Sequence, residues 1–504
     1  MRASRKKRLA LLLAGLMLLP MASCAKTDEG GDDVTTATAA VGNVAEEETL
    51  DPDYACNLPD GLDFGDTEVN ILYVNKDGRA DELVSEKLGK GTISDAVYER
   101  NVAVENQLGV KLSFVSEDDE GEVSSKIDTV VKAGDTTLDI FTIGSHYVID
   151  HAINGHYLDL CQVDYVDTSK HYWSQEYNEV VTFTAENMQF AATSPAALSL
   201  FRLTYLTIYN RDLFTDRRLP DLYETVENGK WTLDYQLGLV SEEYVDLDGN
   251  GTVSEGDFYG FITGDIISVD PYCVASDIHF IQRDEFGDWM PNDDVQDAAI
   301  TMSEKVSALY NVRGTYVYEG TDHDDIGKYS IIEKFAAEEG LMATTQFLSI
   351  ERRIDSLADI GYGIVPMPKL TVEQPAYYTY VQDQVTSFGI SAAIGSEERQ
   401  SVLGAVMESM AYNSYLNVRP AYYDSTLSLR FMQDPQSGEI LDTMFETISF
   451  DRAFLHAPID IKGTLRNKLP QSNPALASQL KSWNKSLVNY MNKEKKSLEK
   501  LLKD

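Results

Sequence analysis

The chain has 504 residues, 43% of them hydrophobic, and carries 82 acidic against 42 basic side chains, a formal net charge of −40. A field of that sign repels nucleic acid and anionic lipid, and it bears on solubility and partners rather than on fold. Length and apolar content suffice for a large core divided over two or three domains.

Residues 1–23 read as a lipoprotein signal peptide. A basic opening is followed by a short apolar run from Leu9 to Ala22, too short to span a bilayer. Cys24 follows two small residues, Ala22 and Ser23, as the cysteine of a bacterial lipobox does, although Met21 stands where such boxes usually carry Leu. Lipidation at Cys24 would tie the chain to a membrane surface without a spanning helix; secretion with an incidental cysteine is the alternative. Residues 24–65 are rich in Asp, Glu, Thr, Ala and Gly and read as a flexible acidic tether. The remaining cysteines, Cys56, Cys161 and Cys273, are odd in number and widely spaced, which argues against a disulfide framework.

Order is predicted from Glu68. The apolar run Val69–Val74 reads as a buried strand, and Ile93–Leu108 as a helix with Ile93, Val97, Val104 and Leu108 on one face, stopped by Gly109. A strand over Val110–Val115, a helix over Gly121–Ala133 and a strand over Leu138–Ile143 complete a βαβαβ unit, which implies a parallel sheet. Ligands of such sheets sit outside the carboxyl ends of the strands. The loops there point to Asp77, His146 and Tyr147, with plain polar loops as the alternative.

Between Asp246 and Asp257 the spacing is that of a calcium loop. Oxygen ligands are wanted at positions 1, 3, 5, 7, 9 and 12 with Gly at 6. Asp246, Asp248, Asn250, Thr252 (through its carbonyl), Ser254 and Asp257 fill them, Gly251 makes the turn and Val253 is the apolar anchor. There is one copy, and "DFYGFI" after it reads as strand, so the expectation is a structural Ca2+ clamp rather than a sensor. An ion-free turn is the alternative, because Asp, Asn and Gly are turn formers in their own right.

His146, His151 and His156 recur every five residues, which puts them on different faces of a helix and makes a poor zinc site. "TDHDD" around His323 reads as a solvated loop, and "KSWNKSLVNYMNKEKKSLEKLLKD" as a surface helix with its lysines in solvent. No G-x-S-x-G or H-E-x-x-H occurs. A secreted glycan hydrolase, which would need two placed carboxylates, and a calcium-dependent cell-surface adhesion protein are the rival readings.

Four stretches carry a family resemblance. "VVKAGDTTLDIFTIGSHYVIDHAINGHYLDL", "LTIYNRDLF", "GYGIVPMPK" and "AYYDSTLSLRFMQDPQSGEILDTM" resemble, in order, segments of the family 1 extracellular solute-binding proteins of sugar ABC transporters. The resemblance implies an α/β, two-lobe periplasmic-binding-protein-like fold of type II, with mixed or parallel sheets flanked by helices and a hinge of crossing strands. It implies an N-lobe of 66–190 plus 362–415 and a C-lobe of 191–361 plus 416–504, with crossings near "MQFAATS", at "GYGIVPMP" and near Tyr415. By the same resemblance the chain is a monomeric non-enzyme that captures a carbohydrate and delivers it to ABC permease subunits at the outer face of a Gram-positive cell membrane. Carried over residue by residue, the ligand contacts are Asp77, His146 and Tyr147 of the first lobe, Asp270 and Tyr272 of "SVDPY", and Gln346 of "ATTQF". Trp173 and Trp289 are further candidate rings, with core packing as the alternative; Tyr209 is assigned to a strand-to-helix junction.

Overall fold

The computed structural model describes residues 54–76, 78–183, 188–319, 330–430, 435–455 and 459–501. The signal segment, Cys24, most of the tether, Asp77 and His323 lie outside the described residues.

The first sheet is built as its sequence predicts. Strands β1 (Thr67–Val74), β2 (Val110–Glu117) and β3 (Ile140–Gly144) run parallel, with β1 in the middle. Val69, Ile71, Leu72 and Val74 of β1 are buried, the mark of a strand covered on both faces. The helix Thr92–Leu108 ends at Gly109, whose φ of 61° is left-handed and open to glycine without strain. The helix Glu120–Ala133 is capped by Asp119, which accepts a hydrogen bond from the backbone N–H of Glu122, and closes on Gly134. From β3 the chain passes directly into the helix Ser145–Ile153.

A second sheet follows. The chain leaves the first between Ser194 and Thr204 and forms β4 (Tyr205–Asn210), β5 (Tyr244–Val245) and β6 (Phe258–Gly264). A hairpin of β7 (Ile281–Arg283) and β8 (Trp289–Pro291) comes next, then β9 (Thr315–Tyr318), β10 (Gly340–Gln346) and β11 (Tyr362–Val365). The strand order is β11-β4-β10-β6-β5, with β9 also paired to β6. The sheet is mixed: β10 is parallel to β6 but antiparallel to β4. Strand β12 (Thr379–Tyr380) leads back to β13 (Thr386–Ile390), which joins the first sheet antiparallel to β3. A third passage is one long helical path, Glu397–Asn413, a π turn at Ser414–Val418, and Arg419–Arg430. Last, β14 (Ile448–Ser449) pairs with β12.

Three boundaries differ from the sequence expectation. Residues 188–194 belong with the first sheet, because Ala192 bridges Phe388 of β13, so the crossing comes after "MQFAATS" rather than within it. Strand β11 was expected in the first lobe but pairs with β4 of the second, and Trp231 Nε1 donates to Pro366 O behind it at 2.8 Å. The return to the first lobe is therefore made near Asp383, not at Tyr362; an apolar strand reads alike whichever sheet it joins. Finally, the tether was expected to run to residue 65, yet Tyr54 stacks on His171 with centroids 4.4 Å apart. Leu58, Leu62 and Phe64 pack against the first-lobe core. Three apolar side chains are enough to dock a segment whose average composition reads as tether.

Each lobe has its own core, one around Val69, Val104, Ile140 and Leu403, the other around Leu206, Phe261, Leu341 and Trp231. Val97, Tyr177, Phe201, Val381 and Tyr422 pack together where the crossing segments meet. The helix Ala477–Leu501 buries Leu480, Trp483, Leu487 and Leu498 and exposes Lys481, Lys485, Lys493, Lys495, Lys496 and Lys500, as its pattern predicts. Among the described residues the three cysteines are free and no helix is long and apolar enough to cross a membrane.

Candidate functional site

The carboxyl ends of the two sheets are brought face to face by charged side chains. On the first lobe, the loop after β3 places His146 in the first turn of the helix Ser145–Ile153. Its backbone N–H and its Nδ1 both lie 3.1 Å from the main-chain oxygen of Asp383. Its Nε2 lies 3.3 Å from Glu120, and Glu120 in turn holds Arg79 Nη1 at 2.9 Å. Arg79 follows β1 and also donates from Nε to Thr386 Oγ1 at 2.9 Å. Tyr147 lies against the His146 ring, centroids 4.3 Å apart.

On the second lobe, the turn after β6 carries Asp270, 1% exposed. Arg466 grips it through two nitrogens, at 2.8 and 2.5 Å, a bidentate pairing. One helical turn earlier on the same helix, Lys462 reaches across to the carboxylate of Asp383. Sequence positions 146 and 270 are thus joined by a chain of contacts running His146, Asp383, Lys462 and, through its neighbour on the helix, Arg466 and Asp270.

Burial sets the electrostatics. It pulls His146 down to about 4 against the upward pull of Glu120, with Lys462 and Arg79 adding to the fall. It pulls Lys462 down to about 8, although Asp270 opposes the change. It pushes Asp270 up, while Arg466 holds it back. A neutral His146 donates from one nitrogen only, to the Asp383 carbonyl or to Glu120.

The other sequence candidates fall elsewhere. Tyr272 is 0% exposed and packs in the second-lobe core beside Tyr310, so it presents no face to the gap as the structure stands. The Pro271 ring starts a short helix that turns Tyr272 inward while Asp270 stays at the edge. Gln346 is fully buried at the end of β10, where its Nε2 donates to Gln382 Oε1 at 3.1 Å beside the crossing strands. Trp173 is core, its Nε1 donating to Glu408 at 3.1 Å. Trp289 ties the lobes together, donating to Thr182 O at 2.9 Å under the guanidinium of Arg283. Tyr209 is the last but one residue of β4, before Asn210 ends the strand and caps the helix Arg211–Asp216.

His151 and His156 do not lie on different faces of one helix. The helix stops at Ile153, Gly155 takes a φ of 73°, and His156 folds back until the two Nδ1 atoms are 2.7 Å apart. Spacing arguments assume that the helix continues, and the glycine ends it. Among the described residues the one cluster of possible metal-ligating groups is Asp246, Asp248 and Asp257, with ligand oxygens within 4.8 Å of one another. Asp246 accepts from the backbone N–H of Gly249 and Gly251, both at 2.7 Å, and Asn250 Oδ1 from that of Thr252 at 2.6 Å. Asp257 has no exposed surface; burial pushes its pKa up, but hydrogen bonds from Tyr244, Ser254 and Leu247 outweigh that and lower it.

Sequence reasoning missed Asp383, Lys462, Arg466, Arg79 and Glu120. The one usable signal was Lys462 and Arg466 at i and i+4, a pair of cations on one helix face behind the N-cap Asp460.

No family model matches the chain, and no curated protein matches it in sequence. Solved structures do match in fold. A family 1 extracellular solute-binding protein from Bifidobacterium longum subsp. infantis superposes with a TM-score of 0.55 at 13% identity, covering 84% of this chain and 100% of its own. UspC of M. tuberculosis gives 0.54 at 14% identity, covering 83% and 100%. The galacto-N-biose-/lacto-N-biose I-binding protein of the Bifidobacterium longum ABC transporter, in complex with lacto-N-biose, gives 0.53 at 10% identity, covering 86% and 99%. The chain therefore has the two-lobe fold of solute-binding proteins.

Proposed function

We propose that this protein captures a carbohydrate between its two lobes and delivers it unaltered to an ABC permease. The observation that carries the reading is the convergence of both sheets' carboxyl ends on one polar seam, His146, Asp383, Lys462 and Asp270, in a fold otherwise seen holding sugars. Charged and polar groups at such a seam hydrogen-bond sugar hydroxyls, and the wrong sugar leaves buried groups unpaired. Closure requires that ligand bind the closed arrangement better than the open one. In this reading Cys24 carries a lipid that holds the chain at the outer face of the membrane, and no reacting group is needed. Calorimetry against a panel of mono- and oligosaccharides, with chromatography of the recovered ligand, tests it. Saturable binding of an unchanged sugar is the expected result; absence of binding across the panel, or a hydrolysed ligand, removes the reading.

The loop Asp246–Asp257 is part of the same proposal, as a Ca2+ clamp on the second lobe. Asp246, Asp248 and Asp257 would supply carboxylates, Asn250 its side-chain oxygen, Thr252 its carbonyl and Ser254 a contact through water. The support is the donor set: three carboxylates already drawn within 4.8 Å of one another.

A further inference from the structure

We infer that Lys462 and Asp383 contact the captured ligand directly, and that together they select an uncharged polyhydroxylated ligand against an acidic one. The inference rests on the carbohydrate-capture reading and names the chemical class that the same site takes.

Lys462 belongs to the second lobe, since Ile461 and Leu465 on its helix lie in that lobe's core. Asp383 belongs to the first: its main-chain oxygen accepts from Ser145 Oγ at 2.6 Å and from the N–H of His146. Their side chains are 15% and 10% exposed and meet each other directly. A ligand that enters between the carboxyl ends of the two sheets has to part this pair.

What can part it depends on charge. The charged and titratable groups around the seam are Arg79 and Glu82 after β1, Glu120 after β2, His146 after β3, Asp383 before β13, and Lys462, Arg466 and Asp270 on the second lobe. Each of the three cations already has its carboxylate: Arg79 has Glu120 and Glu82, Arg466 has Asp270, and Lys462 has Asp383. An acidic ligand would have to take Lys462 or Arg466 from its partner and leave a shielded carboxylate uncompensated, which is the costly way to break such a pair. A hydroxyl group both donates and accepts. Two hydroxyls of one ligand can accept from Lys462 Nζ and donate to Asp383, so that both charges keep a partner.

The test is calorimetry on the whole protein with a neutral sugar found to bind, with its uronic-acid counterpart, and with Lys462→Gln, Lys462→Arg and Asp383→Asn. The expected result is at least tenfold weaker binding of the uronic acid, and at least tenfold weaker binding of the neutral sugar by Lys462→Gln and Asp383→Asn. Lys462→Arg, which keeps the charge, recovers part of the loss; melting curves of all three variants identify any that fail to fold. Neutral-sugar binding within twofold of the parent in the folded variants overturns the inference and leaves carbohydrate capture standing, as does equal binding of the uronic acid. A parent protein that binds no sugar overturns both.

Discussion

His151 and His156 face each other through their Nδ1 atoms at 2.7 Å, so one of the two carries the hydrogen and the other accepts it. The chain of contacts continues from His151 Nε2 to Ser124 Oγ at 3.0 Å and from His156 Nε2 to Asp128 at 3.4 Å. A second hydrogen between the two Nδ1 atoms would make one ring an imidazolium and set two N–H donors against each other.

The first prediction concerns pH. Burial, then His156, pulls His151 down from 6.5 to about 4; burial also lowers His156, with Asp128 opposing and Lys132 adding. The folded values lie below the unfolded ones, so the unfolded chain binds more protons in this window and stability falls as pH falls. Melting temperature should drop between pH 6.5 and about 4, by an amount equivalent to about 1–3 kcal/mol for the pair. His151→Gln should flatten that slope. An unchanged slope in the variant would show that other groups govern acid stability.

Tyr272 separates core from ligand contact. Its ring is fully buried beside Tyr310 and its hydroxyl lies near Thr344. Tyr272→Ala should cost about 3–5 kcal/mol in urea unfolding, whereas Tyr272→Phe should cost under about 1 kcal/mol and leave sugar affinity within twofold. A selective loss of affinity in Tyr272→Phe would place this side chain in the ligand site after all.

Arg202 links the lobes beside the crossing strands. Two of its nitrogens hold Asp81, after β1, at 2.9 and 2.8 Å, and its Nε reaches Glu351, after β10, at 3.1 Å. It is 5% exposed. Arg202→Met should destabilise by about 3 kcal/mol, because Glu351 keeps its charge in a shielded place. Double substitution with Glu351→Gln should recover part of the loss, and strict additivity of the two changes would argue against coupling.

Calcium should raise the melting temperature if the clamp operates. The gain grows as RT ln(1 + [Ca2+]/Kd), about 2.7 kcal/mol at a hundredfold excess over Kd. Asp246→Asn with Asp248→Asn should abolish the response and leave sugar affinity unchanged. Melting curves that stay flat to millimolar calcium would reduce the loop to a turn held by its own backbone N–H groups.

Much of the first sheet could be read directly. Alternating and continuous apolar runs mark β1, β2 and β3, and Gly109 and Gly134 mark the helix ends, because these signals are local and each is decided within a few residues. The turn of the acidic loop is local in the same sense, since Asp246 accepts from the backbone N–H groups of Gly249 and Gly251. His151 and His156 show the limit: a single left-handed glycine between them reverses the chain and undoes the helical spacing.

Sequence alone determined the strands and helices of the first sheet and His146 as a polar residue at a strand end, while Asp270 was reached through the family resemblance of "SVDPY". Only the tertiary structure decided that β11 belongs to the second sheet, that Tyr272 turns inward, and that Lys462 meets Asp383 across the seam. The physical reason is distance along the chain. Periodicity and turn chemistry act over a few residues, while an ion pair between lobes joins groups whose approach depends on how three crossing segments place two separately folded cores.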